Sequence, residues 1–234
     1  MAWACTTPLR AASTWTWSTQ AAQGAKRGLW IGSPRTWREL KLKRNRRSGY
    51  NVCMAESAGL VLNGFFGQRK GRIDVGDLAR AEAQRLDLKA PIRIGRGGAG
   101  PVSYKRHFRW LKKHAGADRL LLIGKSYGGH WARKMLFTLA DKDVLLRFGE
   151  VRLLTVDPSF VLHSLSHRKF SLPGASNIEC LNLYQHGPRG GYQIDDACNE
   201  MLAYVEHQNI ELNPRVQEAV REHVQWLHGV GPNG

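Results

Sequence analysis

The residues of this chain best suited to covalent chemistry stand in Gly124-Lys125-Ser126-Tyr127-Gly128-Gly129. The run follows the most apolar stretch, Arg119-Leu120-Leu121-Leu122-Ile123, and precedes helical periodicity over 129–140. Gly-x-Ser-x-Gly between a strand and a helix predicts a sharp turn that pushes the serine hydroxyl outward, a nucleophile elbow. Small residues are needed on both sides because the two backbones approach closely there. The helix N-terminus beneath Ser126 favours negative charge. The backbone N–H of Tyr127 is then placed to donate to an oxyanion.

A serine hydroxyl is a poor nucleophile until a base takes its proton, and the base needs an acid to orient it. With such an elbow the acid and then the histidine follow in chain order. Asp157 ends the next apolar run, in Leu154-Thr155-Val156-Asp157-Pro158-Ser159, where Pro158 stops the strand. It is the candidate acid; the alternative is a turn-forming Asp before Pro. Six histidines follow: His163, His167, His186, His207, His223 and His228. His163 and His167 fall in a polar, basic insertion. His223 and His228 lie on a terminal helix and are expected at the surface. His207, in Tyr204-Val205-Glu206-His207-Gln208-Asn209-Ile210, occupies a connection that could return over the elbow, and is the candidate base. His186, directly after a strand, is the alternative. The loop Asn63-Gly64-Phe65-Phe66-Gly67 could supply a second oxyanion donor from the N–H of Phe65 or Phe66. A pair of such donors contributes on the order of several kcal/mol in the transition state.

Two other motifs fail on their own mechanics. A phosphate-binding Gly-x-x-x-x-Gly-Lys-Ser would need glycine at Arg119, with Leu-Leu-Leu-Ile wrapping a phosphate, and those residues belong in a strand. Gly95-Arg96-Gly97-Gly98-Ala99-Gly100 matches Gly-x-Gly-x-x-Gly after a strand, but Pro101 follows at once. The next strand also ends in Lys125-Ser126 rather than the acid a dinucleotide site requires. A plain Gly-rich connection accounts for it.

The elements that must position these residues alternate in type. Apolar runs at 58–62, 91–94, 119–123, 151–156 and 178–184 predict five strands. Helical spacing covers 75–86, 103–114, 129–140 and 214–228, the last with Pro214 near its start. Strands separated by helices predict an α/β three-layer sandwich around a mainly parallel sheet. In such sheets ligands bind beyond the carboxyl ends of the strands, where Ser126 and Asp157 stand.

The 234 residues carry 35 Lys and Arg against 19 Asp and Glu, a net charge of +16. That balance attracts polyanions and says nothing of fold. No run of about 18 uncharged apolar residues exists, so no spanning helix is expected. Cys5, Cys53, Cys180 and Cys198 have no metal-ligand spacing. Free thiols in a reducing cytoplasm are the expectation. Residues 1–53 hold ten of the basic residues, one acid (Glu39) and five tryptophans, without sustained periodicity. They are expected to be a disordered basic arm, or a leader ahead of a start at Met54, with 54–234 forming the domain. As an arm, the segment could bind nucleic acid by phosphate neutralisation and stacking.

On Gly-Lys-Ser-Tyr-Gly-Gly, the strand-ending Val-Asp-Pro and the late Glu-His-Gln-Asn-Ile, residues 58–228 resemble the α/β-hydrolase superfamily, in particular its small lipase-, thioesterase- and cutinase-like members. The resemblance implies Ser126 as nucleophile, Asp157 as acid and His207 as base. It implies hydrolysis of an ester or thioester of a small or lipid-like acyl group through an acyl-enzyme, without metal or organic cofactor. Residues 160–177 would then shape the substrate entrance. A binding or scaffold protein that kept the fold and lost the chemistry is the competing expectation.

Overall fold

The computed structural model describes residues 57–64, 73–96, 100–159, 172–173, 177–186 and 191–229. The basic segment 1–53, the amides of Phe65 and Phe66, and most of the 160–177 insertion lie outside the described residues.

Six parallel strands form one sheet: β1 (Ser57–Asn63), β2 (Ile92–Arg96), β3 (Arg119–Lys125), β4 (Glu150–Val156), β5 (Ile178–Tyr184) and β6 (Cys198–Met201). Their spatial order is β2-β1-β3-β4-β5-β6. The chain therefore winds outward from β1 to β2 and then returns to the other side of β1 to lay down β3. That reversal is the switch point at which open parallel sheets bind ligands, and Ser126 follows β3.

Among the described residues four helices cover the sheet: α1 (Val75–Arg85), α2 (Gly100–Lys113), α3 (Tyr127–Asp141) and α4 (Pro214–His228). Side chains alternate between the two faces of a strand, and the core divides accordingly. Leu60, Leu62, Leu120, Leu122 and Leu153 pack with Leu111 of α2 and Met135, Leu136 and Leu139 of α3. Val61, Leu121, Ile123, Leu154 and Val156 pack with Val75 and Ala79 of α1 and with Val216, Val220 and Val224 of α4. These strands are apolar on both sides because helices take both faces.

Helix α1 starts at Asp74, whose side chain accepts from the backbone N–H of Asp77 while Asp77 reciprocates to Asp74. Asn63, at the end of β1, donates to Asp74 at 2.8 Å and accepts from the Gly76 N–H at 3.1 Å. The end of β1 and the start of α1 are thereby tied at the carboxyl edge. Asn213 caps α4 by accepting from the Arg215 N–H, with Pro214 in the first turn.

Three findings differ from the sequence expectations. The sheet has a sixth strand, β6, which is short and polar and lies at the edge. It is held by a polar row that matches the register Thr155↔Asn182↔Asn199. Thr155 donates to Asn182 at 2.7 Å, and Asn182 donates to Asn199 at 2.8 Å. Second, His223 is buried against the sheet with Nδ1 on the Ala219 carbonyl at 2.7 Å; of the two terminal-helix histidines only His228 is exposed. Third, Cys180 is a free buried thiol, pushed up to about 12 by burial, whereas Cys198 is disulfide-bonded. The expectation of free thiols holds for Cys180 and fails for Cys198. Among the described residues no helix is long and apolar enough to cross a membrane.

Candidate active site

The turn after β3 is built by close backbone contact. A Cβ on Gly124 would stand 2.6 Å from the Gly128 carbonyl oxygen, and one on Gly128 would stand 2.1 Å from that of Leu62. Both distances are impossible, so strand and helix can meet at this spacing only with glycine at these positions. Between them Ser126 takes φ +53° and ψ −125°, a conformation L residues rarely adopt. Its N–H donates to the Val156 carbonyl at 2.9 Å, and its own carbonyl receives the Gly129 N–H at 3.0 Å. The residue is pinned on both sides, and its side chain projects from the first turn of α3.

Asp157 is fully buried at the end of β4, with φ +46°. Its N–H donates to the Leu183 carbonyl at 2.6 Å. Its Oδ1 receives the backbone N–H groups of Gln185 at 3.2 Å and Gly191 at 2.5 Å. With Oδ1 occupied, Oδ2 faces the histidine.

His207 lies between β6 and α4. Its Nδ1 is bonded to Asp157 Oδ2, and its Nε2 is 3.0 Å from Ser126 Oγ. Serine, histidine and aspartate thus stand in one hydrogen-bonded series. Ser126 is buried, whereas the His207 side chain is 23% exposed, so the series opens outward at the imidazole. His186, the alternative base, is exposed past β5 and forms no hydrogen bond to Ser126.

The loop bearing His207 contains little regular structure, only a short 3-10 turn at Ile210–Leu212. Ile210 anchors it in the core. Glu211 forms an ion pair with Lys125, the residue just before Ser126. The side chains are 12% and 8% exposed, so the pair is nearly withdrawn from water. One end of the bridge is next to Ser126, and the other, Glu211, follows His207 in the same loop. Neither this bridge nor the contact of Ser126 Oγ with Ser159 Oγ, at 2.9 Å, was among the sequence expectations.

Two features bear on the space around the serine. Gly64 follows β1 and lies against it: a Cβ there would be 3.4 Å from Ser126 Cβ and 3.7 Å from its Oγ. The β1 loop, with Phe65 next in the chain, therefore begins beside the hydroxyl. Next to Ser126 in the chain, the Tyr127 ring stacks on His130 at 5.9 Å and meets Trp131 edge-on at 5.8 Å. Burial, followed by the charges of Arg133 and Lys134, pushes His130 down to about 4, so it is neutral at pH 7. Among the described residues no three His, Cys, Asp or Glu side chains gather to hold a metal ion.

No protein-family model matches the chain, and no curated protein matches it. Among solved structures it is similar to a protein from Xanthomonas campestris pv. campestris that bears the provisional name of a hydrolase of the alpha/beta superfamily. The identity is 15% and the TM-score 0.46, over 74% of this chain and 99% of that one. A likeness of that degree leaves architecture and chemistry to be read from this chain's own residues.

Proposed function

We propose that the protein is a serine hydrolase that cleaves carboxylic esters or thioesters through an acyl-enzyme. One observation carries the reading: Ser126 Oγ, on a backbone at φ +53°, is 3.0 Å from an imidazole whose other nitrogen is bonded to buried Asp157. A bonded series of this kind serves to move a proton off the hydroxyl.

In the first step Ser126 Oγ attacks the acyl carbon and its proton passes to His207 Nε2. Asp157 holds the ring so that Nε2 faces the serine, and stabilises the imidazolium that forms. The carbonyl oxygen becomes an oxyanion, received by the Tyr127 N–H at the start of α3 and by an amide of Phe65 or Phe66 past Gly64. The oxyanion then re-forms the carbonyl. The bond from the acyl carbon to the leaving oxygen or sulfur breaks, and that atom takes the proton from Nε2. In the second half, water loses a proton to Nε2 and attacks the ester of Ser126. Its collapse returns the proton to Oγ and releases the acid.

A fluorophosphonate probe with peptide mapping tests the reading directly. The wild type is expected to carry the adduct on Ser126, and Ser126→Ala to carry none. Equal labelling of the two proteins, or adducts elsewhere in the chain, overturns it. A panel of p-nitrophenyl esters and acyl thioesters would then define the acyl group.

A further inference from the structure

The loop that ends β4 brings a second hydroxyl to the elbow: Ser159 Oγ is 2.9 Å from Ser126 Oγ. The direction of each hydrogen bond in the series follows from donor and acceptor counts. A carboxylate only accepts, so Asp157 Oδ2 takes the Nδ1–H of His207. A neutral imidazole has one N–H, which leaves Nε2 as an acceptor. Ser126 donates its single proton to that nitrogen across 3.0 Å. Only the Ser159 hydroxyl is then left to serve as donor between the two serines.

We propose that Ser159 is a second catalytic hydroxyl, which donates to Ser126 Oγ and keeps the nucleophile's own proton directed at His207. The inference rests on the reading of Ser126 as nucleophile and adds a residue to it. The backbone suits a fixed role. Asp157 and Pro158 lead directly into Ser159, and Pro158 packs on the first turn of α3, where a Cβ on Gly129 would be 3.1 Å from Pro158 Cβ. The strand-end loop thus supplies two groups: a carboxylate that fixes the base and a hydroxyl that fixes the nucleophile.

The two halves of the reaction use this hydroxyl unequally. As the proton leaves for His207, Oγ gains negative character, and a hydrogen bond to a charged acceptor is about twice as strong as one between neutral groups. Ser159 therefore assists acylation. Once Oγ is the bridging oxygen of an ester it is a weak acceptor, and the attacking atom belongs to water. Ser159 contributes little while water attacks; it acts again only afterwards, when Oγ leaves the acyl carbon and takes back its proton.

Four full-length proteins test this: wild type, Ser159→Ala, Ser159→Thr and Ser126→Ala. The rate of fluorophosphonate inactivation and the burst with a p-nitrophenyl ester report acylation; the steady-state rate after the burst reports deacylation. Ser159→Ala should slow inactivation and burst about tenfold, the loss of one hydrogen bond to a group gaining charge. Its steady-state rate, set by the attack of water on the acyl-enzyme, should stay within about twofold. Ser159→Thr, which keeps a hydroxyl, should recover most of the loss. The inference is overturned if Ser159→Ala reacts at the wild-type rate, if both phases slow together, or if threonine does no better than alanine. Absence of the adduct from wild-type Ser126 overturns the hydrolase reading and this one with it.

Discussion

The elbow and the loop that carries His207 meet at one hydroxyl but are made in different ways. The elbow joins β3 to α3 at Gly124 and sets α3 against the end of β1 at Gly128, through backbone contacts that tolerate no extra atom at either glycine. The His207 loop is held by side chains: the Asp157 bond, the Lys125–Glu211 pair and the buried Ile210. One region is part of the frame; the other is clamped onto it. A defect in the elbow should reach the whole fold, whereas a defect in the clamp should misplace the imidazole while the sheet persists.

The largest expected effect is chemical and comes from removing the groups where the regions meet. Ser126→Ala or His207→Ala should lower kcat/KM by about 10⁵-fold. The melting temperature should stay within about 3 °C, because such residues serve reaction more than stability. Steady-state kinetics beside thermal melts would show the split; loss of structure in His207→Ala would break the contrast by making the loop part of the frame. Next comes Gly128→Ala, whose methyl must displace the backbone at Leu62. We expect a cost of about 4 kcal/mol or more and a fall in melting temperature of about 10 °C or more. A Gly128→Ala protein that melts like wild type would mean that the elbow is no tighter than the clamp.

The same contrast governs what could be read in the sequence. The frame was legible because its signals are local. The apolar runs became β1 to β5, α4 runs over the expected 214–228, and Gly-x-Ser-x-Gly falls on the predicted strand-to-helix turn. Asp157 was legible because Pro158 marks the strand end at the edge where ligands bind. His207 was the candidate base with His186 left as its alternative, since the choice depends on where a loop folds back. Strand β6 escaped because Cys198-Asn199-Glu200-Met201 has no apolar run, and its support is the side-chain row from Thr155 through Asn182. The Lys125–Glu211 pair spans 86 positions and leaves no periodic trace. His223 was placed at the surface by residue type, although its position shares the stripe of Val216, Val220 and Val224. The stripe was the better guide.

The clamp can be tested without touching a reacting group. Glu211→Gln leaves the Lys125 charge nearly buried and unpaired, which should cost about 3 kcal/mol. It should also lower kcat as the loop shifts. Replacing both partners, Lys125→Met with Glu211→Leu, removes the stranded charge and should recover the melting temperature. Activity should remain below wild type, because an apolar contact does not fix the loop's register as an ion pair does. Thermal melts and kcat on the same three proteins decide it. Full recovery of kcat in the double variant would reduce the pair to a stabilising contact with no part in positioning His207.

The smallest expected effect uses pH to probe the frame by itself. Burial, the first cause in each case, pushes His107, His130 and His223 down to about 4. The charges of Arg152 and Arg215 lower His223 further, and its Ala219 hydrogen bond opposes the shift. Unfolded, a histidine takes up a proton near pH 6.5. Between about 4 and 6.5 the unfolded chain therefore binds more protons, so stability is complete above 6.5 and declines as pH falls through that window. Glu82, lowered from 4.5 chiefly by its hydrogen bond from Arg85, loses its contribution only below about 4.5, outside a comparison of pH 7.5 with pH 5, and Asp74, raised from 3.8 chiefly by burial, opposes the trend. Going from pH 7.5 to 5, His107 and His223, both buried, should each remove about 2 kcal/mol. His223→Gln keeps a polar group on α4 and takes away the proton site, so its melting temperature should fall less steeply with acid than that of wild type. Parallel curves would mean that His223 is already protonated in the folded frame. Burial against the sheet would then be too wet to hold it neutral.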